Sequence, residues 1–131
     1  GSFLVTGEEV DELQDIVIPK EEKKEIKELK GQVAFKGKVR GIARVILDRR
    51  NANELKEGEI LVTTMTSPEF VPAMKISSGV ITNEGGILCH AAIMSRELRK
   101  PCVIGTKIAT DLIKTGQEII LDANSGIITL L

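Results

Sequence analysis

Residues 79–104 read GVITNEGGILCHAAIMSRELRKPCVI, in which two short apolar runs flank a segment that is rich in helix formers. The runs Gly79–Thr82 and Cys102–Ile104 are bounded and rich in β-branched residues, which is typical of buried strands. Residues 91–100 have apolar side chains at helical spacing, and Pro101 directly after them would end a helix. The stretch therefore predicts a strand, a loop that contains two glycines, a helix and a second strand.

Short apolar runs separated by glycine continue on both sides of this stretch. Upstream, residues 33–47 predict strands around tight turns, and residues 58–64 form a β-branched run of the buried-strand type. Downstream, the turn signal DANSG joins two more predicted strands, at residues 118–121 and Ile127–Leu130. Because strand–strand and strand–helix neighbours are mixed, we expect a compact α/β domain with a mixed sheet and few helices.

The composition limits the classes of partner. The chain has 131 residues, which suits one domain, and its core must be aliphatic because only 2% of the residues are aromatic. A net charge of −1 provides no concentrated cationic face, so we expect neither a nucleic acid nor a membrane as a partner. No apolar run approaches the roughly 20 residues that cross a bilayer. The two cysteines, without a C-x-x-C pair or a secretory segment, suggest a cytoplasmic setting.

Residues 1–30 differ from the rest of the chain in their high content of charge. Gly1 and Ser2 are typical of the remnant of a cleaved expression tag, so we expect the chain to be part of a longer polypeptide. The charged segment that follows suits a solvated linker or a short helix. We therefore interpret residues 1–30 as this remnant plus a linker or short helix, and residues 31–131 as the folded domain.

His90 is the only histidine of the chain, and it follows the glycine pair and precedes the predicted helix. The imidazole would then lie at a helix N-terminus, where free N–H groups and the helix dipole favour an anion such as a phosphoryl group. The same field disfavours imidazolium, and a neutral ring keeps one lone pair available for nucleophilic attack. Gly85 and Gly86 would let a large donor approach closely, and Ala91 keeps the helix start uncluttered.

The residues alone leave other roles open for this segment. A single histidine with apolar neighbours is often a hydrogen-bonded structural group. We expect no metal site, because one histidine without a clustered cysteine pair cannot supply the usual zinc ligands, although Cys89, Glu84 and Glu97 lie nearby in sequence. A Cys89 nucleophile assisted by His90 is disfavoured, because adjacent side chains generally point in different directions. A buried structural role suits Cys89 and Cys102 better.

A longer stretch of the sequence resembles a known signature. Residues 82–106, TNEGGILCHAAIMSRELRKPCVIGT, resemble the phosphohistidine signature of the phosphoenolpyruvate-utilising enzymes, most closely the phosphoenolpyruvate synthase (pyruvate, water dikinase) type. The resemblance extends upstream through GEILVTTMTSPEFVPAMK, at residues 58–75, and GKVRGIARVI, at residues 37–46. It covers roughly residues 31–131, and its combination of a glycine pair, a histidine and a small-residue helix start is specific.

The resemblance implies a swivelling β/β/α domain, at residues 31–131, whose histidine is transiently phosphorylated. By that likeness, His90 takes a phosphoryl group from an ATP-grasp domain, where ATP and Mg²⁺ bind, and delivers it to a domain that binds pyruvate or phosphoenolpyruvate. No cofactor is expected on this domain itself, and the charged linker would act as a hinge. The supporting site residues are Gly85, Gly86, Ala91 and Arg96, with Thr82, Glu84, Gly105 and Thr106 as secondary candidates.

Two positions depart from the family pattern. Leu88 stands where a threonine is common, two residues before the histidine, so regulation through that threonine is excluded here. Antibiotic phosphotransferases of the rifamycin type often have leucine there, and a carrier domain of that type remains an alternative. Asn83 stands where aspartate is frequent, which removes a negative charge from the loop. An alternative of another class is a docking or regulatory module that keeps the fold without the chemistry.

Overall fold

The computed structural model describes residues 28–131, which form a mixed sheet with short helices. Within this range the strands, here β1 to β8, are Glu28–Lys30, Gln32–Phe35, Lys38–Val45, Ile60–Thr63, Gly79–Thr82, Cys102–Ile104, Glu118–Asp122 and Ile127–Leu130. The helices are α1 (Val71–Ile76), α2 (His90–Leu98) and α3 (Ala109–Leu112), and two 3₁₀ helices occupy Arg49–Glu54 and Pro68–Phe70. None of these described helices has both the length and the apolar character that crossing a membrane requires.

Strand β3 joins the parallel and antiparallel parts of the sheet. The strand order is β1-β8-β7-β3-β4-β5-β6-β2, and the neighbours from β3 to β6 are parallel while the other pairs are antiparallel. Residues 38–42 of β3 pair with β7, whereas residues 43–45 pair with β4. Because parallel strands end at the same edge of a sheet, the loops after β4, β5 and β6 come together.

Two apolar cores lie on opposite faces of the parallel strands. Successive side chains of a strand point to opposite faces, and Ile60 and Val62 pack in one core while Leu61 packs in the other. The first core includes side chains of β7 and β8, so antiparallel strands cover that face. The second includes side chains of α1 and α2, so helices cover the other face. The layers are therefore sheet, sheet and helix, which confirms the predicted β/β/α arrangement.

The first described residues differ from the sequence prediction. We expected a charged linker or short helix as far as Lys30, but Glu28–Lys30 form strand β1 and pair with the last strand, β8. Leu29 is buried in the first core between two exposed charged neighbours, an alternation that suits a strand with one buried face. The rest of the predicted linker lies outside the described residues, and the division of the chain at residue 31 stays a prediction.

Gly31 brings the two edges of the sheet together. Strands β1 and β2 follow each other in the chain but lie at opposite ends of the strand order, so the two edges meet at this residue. Its N–H donates to the carbonyl of Gly126, at 2.9 Å. A Cβ atom on Gly31 would come within 2.6 Å of the Ile104 carbonyl oxygen and 2.5 Å of the Val103 Cγ1 atom, so only glycine fits here.

Two buried serines allow a test of packing energetics. The Ser95 hydroxyl of α2 makes no hydrogen bond among residues 28–131, and the nearby Cys102 thiol is only a weak hydrogen-bonding group. A buried hydroxyl without a partner costs free energy, and alanine also has the higher helix propensity. We expect Ser95→Ala to raise the free energy of unfolding by about 1 kcal/mol, as measured by urea denaturation.

Ser77→Ala is the matched control. The Ser77 hydroxyl is also buried, but it donates a 2.8 Å hydrogen bond to the carbonyl of Met74. Its removal should lower the free energy of unfolding by about 1 kcal/mol. If Ser95→Ala were destabilised as much as Ser77→Ala, the Ser95 hydroxyl would have a partner in solution and the prediction would be wrong.

Candidate functional site

The loop between β5 and α2 places His90 at the edge where the parallel strands end. His90 is the first residue of α2, and Cys89 before it has extended backbone angles (φ −71°, ψ 166°) and no side-chain cap. The imidazole is half-buried. The N–H of Ile93 donates to the carbonyl of Cys89, at 3.0 Å, which closes the first turn. The structure thus places His90 at a helix N-terminus, as the sequence predicts.

Thr66 engages one nitrogen of the imidazole. Its Oγ1 atom lies 2.7 Å from the Nδ1 atom of His90, which is a hydrogen-bonding distance. Thr66 is only 5% exposed, so its hydroxyl is held among protein groups. The protein therefore fixes the ring through Nδ1, and the second nitrogen, Nε2, takes no part in this contact.

The sequence interpretation did not single out Thr66, although a signal was present. Thr66 follows β4 by three residues, and His90 comes after β5. These two strands pair in parallel along their whole length, and the loops after adjacent parallel strands meet at one edge of the sheet. A hydroxyl residue soon after β4 was therefore a candidate partner, but it could be found only once the strand pairing was known.

A pocket of ≈ 160 Å³ adjoins the imidazole. Pockets for drug-sized molecules measure about 300–1,000 Å³, so this one suits a smaller group. The predicted site residues that line it are His90, Gly85, Ala91, Thr82 and Glu84. The lining is completed by Met65, Thr66 and Cys89, while the predicted residues Gly86, Arg96, Gly105 and Thr106 do not line it.

The two glycines of the predicted loop differ in what their positions require. Gly85 has a φ of +133°, and a Cβ atom there would come within 2.9 Å of the Cys89 Sγ atom and 3.3 Å of the Ile104 Cβ atom. Residues with a side chain rarely adopt such a backbone φ, so this position requires glycine. Gly86 does not have a positive φ, and a Cβ atom there would meet no atom within 4 Å. The steric requirement therefore applies to Gly85 and not to Gly86.

Arg96 contacts the loop before α2. Its Nη2 atom donates to the carbonyl of Ile87, at 2.6 Å, across nine positions of the chain. We expected a phosphate or partner-domain contact for this residue. In the structure its guanidinium joins the last turn of α2 to the loop that precedes His90, and the phosphate contact stays a prediction.

The loop after β6 supports the loop that contains Gly85. Thr106 donates to the carbonyl of Thr82 from both its N–H, at 3.1 Å, and its hydroxyl, at 2.9 Å. The N–H of Gly105 approaches the carbonyl of Glu84 at 3.4 Å. The Asn83 amide donates to the Thr110 hydroxyl, at 2.7 Å, and its oxygen accepts from the Thr110 N–H, at 3.0 Å. Gly105 and Thr106 therefore lie behind the site and hold its loop in place.

The two cysteines occupy different environments. Cys102 is buried in the second core, and this burial raises the pKa of its thiol to about 12, so it stays protonated at neutral pH. Cys89 is half-buried and lines the pocket beside His90. Among residues 28–131, no group of three or more histidine, cysteine, aspartate or glutamate side chains is arranged to hold a metal ion.

Three apolar side chains near the pocket are exposed. Leu88, in the loop before α2, is 78% exposed, and its neighbour Ile87 is 46% exposed. Met65, which lines the pocket from the loop after β4, is 57% exposed. Leu88, which stands in the position where the family commonly has threonine, therefore does not contribute to either core.

Comparison with known proteins identifies the family of this chain. Residues 55–126, more than half of the chain, match the family model described as PEP-utilising enzyme, mobile domain. The chain is 48% identical over 100 residues to a probable phosphoenolpyruvate synthase of Archaeoglobus fulgidus, which covers 76% of this chain and 13% of that protein. It is 48% identical over 112 residues to the phosphoenolpyruvate synthase of Pyrococcus furiosus, covering 82% and 14%.

The chain therefore spans only 13–14% of the length of these relatives. Among solved structures, a solution structure of Enzyme I is 29% identical, with a TM-score of 0.53 over 61% of this chain and 33% of that one. Aconitase X of Thermococcus kodakaraensis has a TM-score of 0.62 at 20% identity, covering 79% of this chain and 98% of that one, and this likeness shows the fold alone.

The family match includes the loop, His90 and helix α2, and it continues to the turn between β7 and β8. The fold is the β/β/α arrangement that the sequence predicts, and the named relatives are phosphoenolpyruvate synthases at 48% identity. This chain belongs to the family of PEP-utilising enzyme mobile domains.

Proposed function

We propose that this chain is the phosphoryl-carrier domain of a phosphoenolpyruvate synthase-like enzyme. His90 accepts a phosphoryl group on Nε2 at a nucleotide-binding domain and delivers it at a domain that binds pyruvate or phosphoenolpyruvate. The observation that carries this proposal is the Thr66 contact with Nδ1 of His90, at 2.7 Å, because it leaves Nε2 as the nitrogen available for transfer. The family match and the names of the relatives agree with such a role.

Thr66 sets the chemistry of the ring in this proposal. When Nδ1 has the proton and donates it to the Thr66 hydroxyl, Nε2 has the free lone pair. Nε2 then attacks phosphorus in line, the new N–P bond forms as the bond to the leaving group breaks, and the Nδ1 proton stays in place. The reverse sequence passes the group on and restores the neutral ring.

Helix α2 provides the second contribution. The N–H groups of its first turn have no intrahelical partners, and the positive end of the helix dipole favours the arriving negative charge. Ala91 and Ala92, the next two residues, are buried and present only methyl groups. The helix start thus adds electrostatic stabilisation without adding bulk next to the ring.

Other parts of the reaction are assigned to partner domains. In this proposal ATP and Mg²⁺ bind to the ATP-grasp domain, and the mobile domain itself binds no cofactor. The names of the relatives favour pyruvate or phosphoenolpyruvate over a rifamycin-type antibiotic as the other partner. A docking module without chemistry would keep the fold but would not take up phosphoryl groups at His90.

Phosphorylation of His90 can be tested on the 131-residue chain with phosphoramidate, a small donor that needs no partner domain. We expect one acid-labile phosphoryl group in the wild type and none in His90→Ala, because His90 is the only histidine. Mass spectrometry and ³¹P NMR would measure it, and circular dichroism would check folding. A wild-type chain that stays unmodified, or a His90→Ala chain that is modified equally, would contradict the carrier role.

Thr66→Val should change which nitrogen is phosphorylated. Valine keeps the shape of the side chain but removes the hydrogen bond to Nδ1, which contributes about 1 kcal/mol. We therefore expect roughly fivefold less Nε2-phosphohistidine and a new fraction modified at Nδ1, which ³¹P NMR distinguishes. Thr66→Ser keeps the hydroxyl and should behave like the wild type. If valine preserved both the yield and the isomer, Thr66 would have no role in selecting the nitrogen.

The two loop glycines should respond differently to alanine. At Gly85 a methyl group would collide with Cys89 and require an unfavourable φ, and such strain costs about 1–3 kcal/mol. We expect Gly85→Ala to lower thermal stability and phosphohistidine yield together. Gly86→Ala, where the Cβ meets open space, should match the wild type in both measurements. Equal losses in the two variants would show that the loop requires two glycines for another reason.

A further inference from the structure

A second cavity adjoins the His90 pocket. Its volume is ≈ 570 Å³, and it shares Met65 and Thr66 with the smaller pocket. Arg49 and Arg50, from the first 3₁₀ helix, line this cavity together with Thr64, Ser67 and other residues of the loop after β4. Two cationic side chains therefore line a cavity that meets the His90 pocket at Met65 and Thr66.

The two arginines differ in their partners. Arg50 makes a two-pronged contact with Asp48, from Nη2 to Oδ2 at 2.8 Å and from Nε to Oδ1 at 3.2 Å. These hydrogen bonds hold the pKa of Asp48 at about 2, so the charge of Arg50 is already compensated. The nearest carboxylate oxygen to Arg49 within residues 28–131 belongs to Glu69, 4.0 Å from Nε, which is too far for a hydrogen bond. Arg49 is therefore the cation that is available for a new partner.

Glu69 follows Thr66, the partner of His90, by three residues, and it is the carboxylate that Arg49 approaches. The Ser67 hydroxyl donates to its carboxylate, at 2.8 Å. This bond and a backbone N–H lower the pKa of Glu69, with a smaller contribution from the charge of Arg49. The carboxylate that Arg49 approaches thus belongs to the same segment as Thr66, which contacts the imidazole. A phosphoryl group on His90 would bring a charge of roughly −1.5 to −2 into the same region.

We propose that Arg49 binds the phosphoryl group that His90 carries, and that it does so by leaving Glu69. The inference rests on the proposed carrier function. The phosphoryl group repels the Glu69 carboxylate and attracts the guanidinium, whose N–H groups can donate to two phosphoryl oxygens at once. Arg49 is exposed and makes no short hydrogen bond to Glu69, so no hydrogen bond between the two side chains has to break when the guanidinium leaves. The mobile domain would then supply its own cation to the phosphoryl group between transfers.

A ³¹P titration of the phosphorylated 131-residue chain tests this contact. A cation beside the phosphoryl group favours its dianion, so Arg49→Gln should move the midpoint of the titration to higher pH by about 0.5. Arg50→Gln removes the same charge from the neighbouring position and should leave the midpoint nearly unchanged. Glu69→Gln removes a repelling carboxylate and releases Arg49, so it should move the midpoint to lower pH.

The outcomes separate the two hypotheses. Equal shifts in Arg49→Gln and Arg50→Gln would indicate only the general field of the protein and would overturn the Arg49 contact. Shifts of the same sign in Arg49→Gln and Glu69→Gln would indicate a merely structural ion pair, and would overturn it as well. A wild-type chain that gives no phosphohistidine signal would overturn the carrier function itself, and the inference with it.

Discussion

The parallel pairing of β4 with β5 is the constraint on which the rest of this structure depends. Both strands are buried on both faces, so they separate the two cores. The antiparallel strands pack against one face and the helices pack against the other. The same pairing brings the loop with Thr66 to the loop with His90, which are 24 residues apart in the chain. The pairing of these two strands therefore determines both the layers of the fold and which residue contacts the imidazole.

The loop before α2 is positioned by hydrogen bonds in which side chains take part. The Thr106 hydroxyl connects it to the loop after β6, the Asn83 side chain connects it to Thr110 of α3, and Arg96 connects it to the last turn of its own helix. Gly85 has a backbone conformation that other residues rarely adopt, and Lys107, with a φ of 73°, has another unfavourable one. Such strain persists where the surrounding bonds determine the conformation. The loop that presents the imidazole is therefore held in its conformation by contacts within the domain.

Local charge at the site could not be judged from the net charge of the chain. The net charge of −1 shows only that the numbers of basic and acidic residues in the chain are nearly equal. The structure nevertheless brings Arg49 and Arg50 to a cavity that shares Thr66 with the His90 pocket, and it places Glu69 4.0 Å from Arg49. Arg49 and Arg50 precede Glu69 by 20 and 19 positions and Thr66 by 17 and 16 positions, and no spacing rule connects them. The structure also shows that Asp48, two residues before Arg50, already compensates the charge of that arginine.

The sequence by itself determined the element types around His90, the aliphatic composition of the core and the resemblance to the phosphohistidine signature, because these depend on local periodicity and on residue order. The sequence interpretation was wrong for residues 28–30, which form a strand and not a linker. Their one buried side chain, Leu29, could be recognised as a strand residue only from its pairing with the last strand. Only the tertiary structure decided three features of the site. It shows that Thr66 is the partner of Nδ1, that the backbone requires glycine at position 85 but not at position 86, and that Arg96 contacts the loop. The Thr66 contact joins loops after two different strands, so it exists only after those strands have paired, whereas the conformation of Gly85 and the Arg96 contact depend on how the loop packs against β6 and α2.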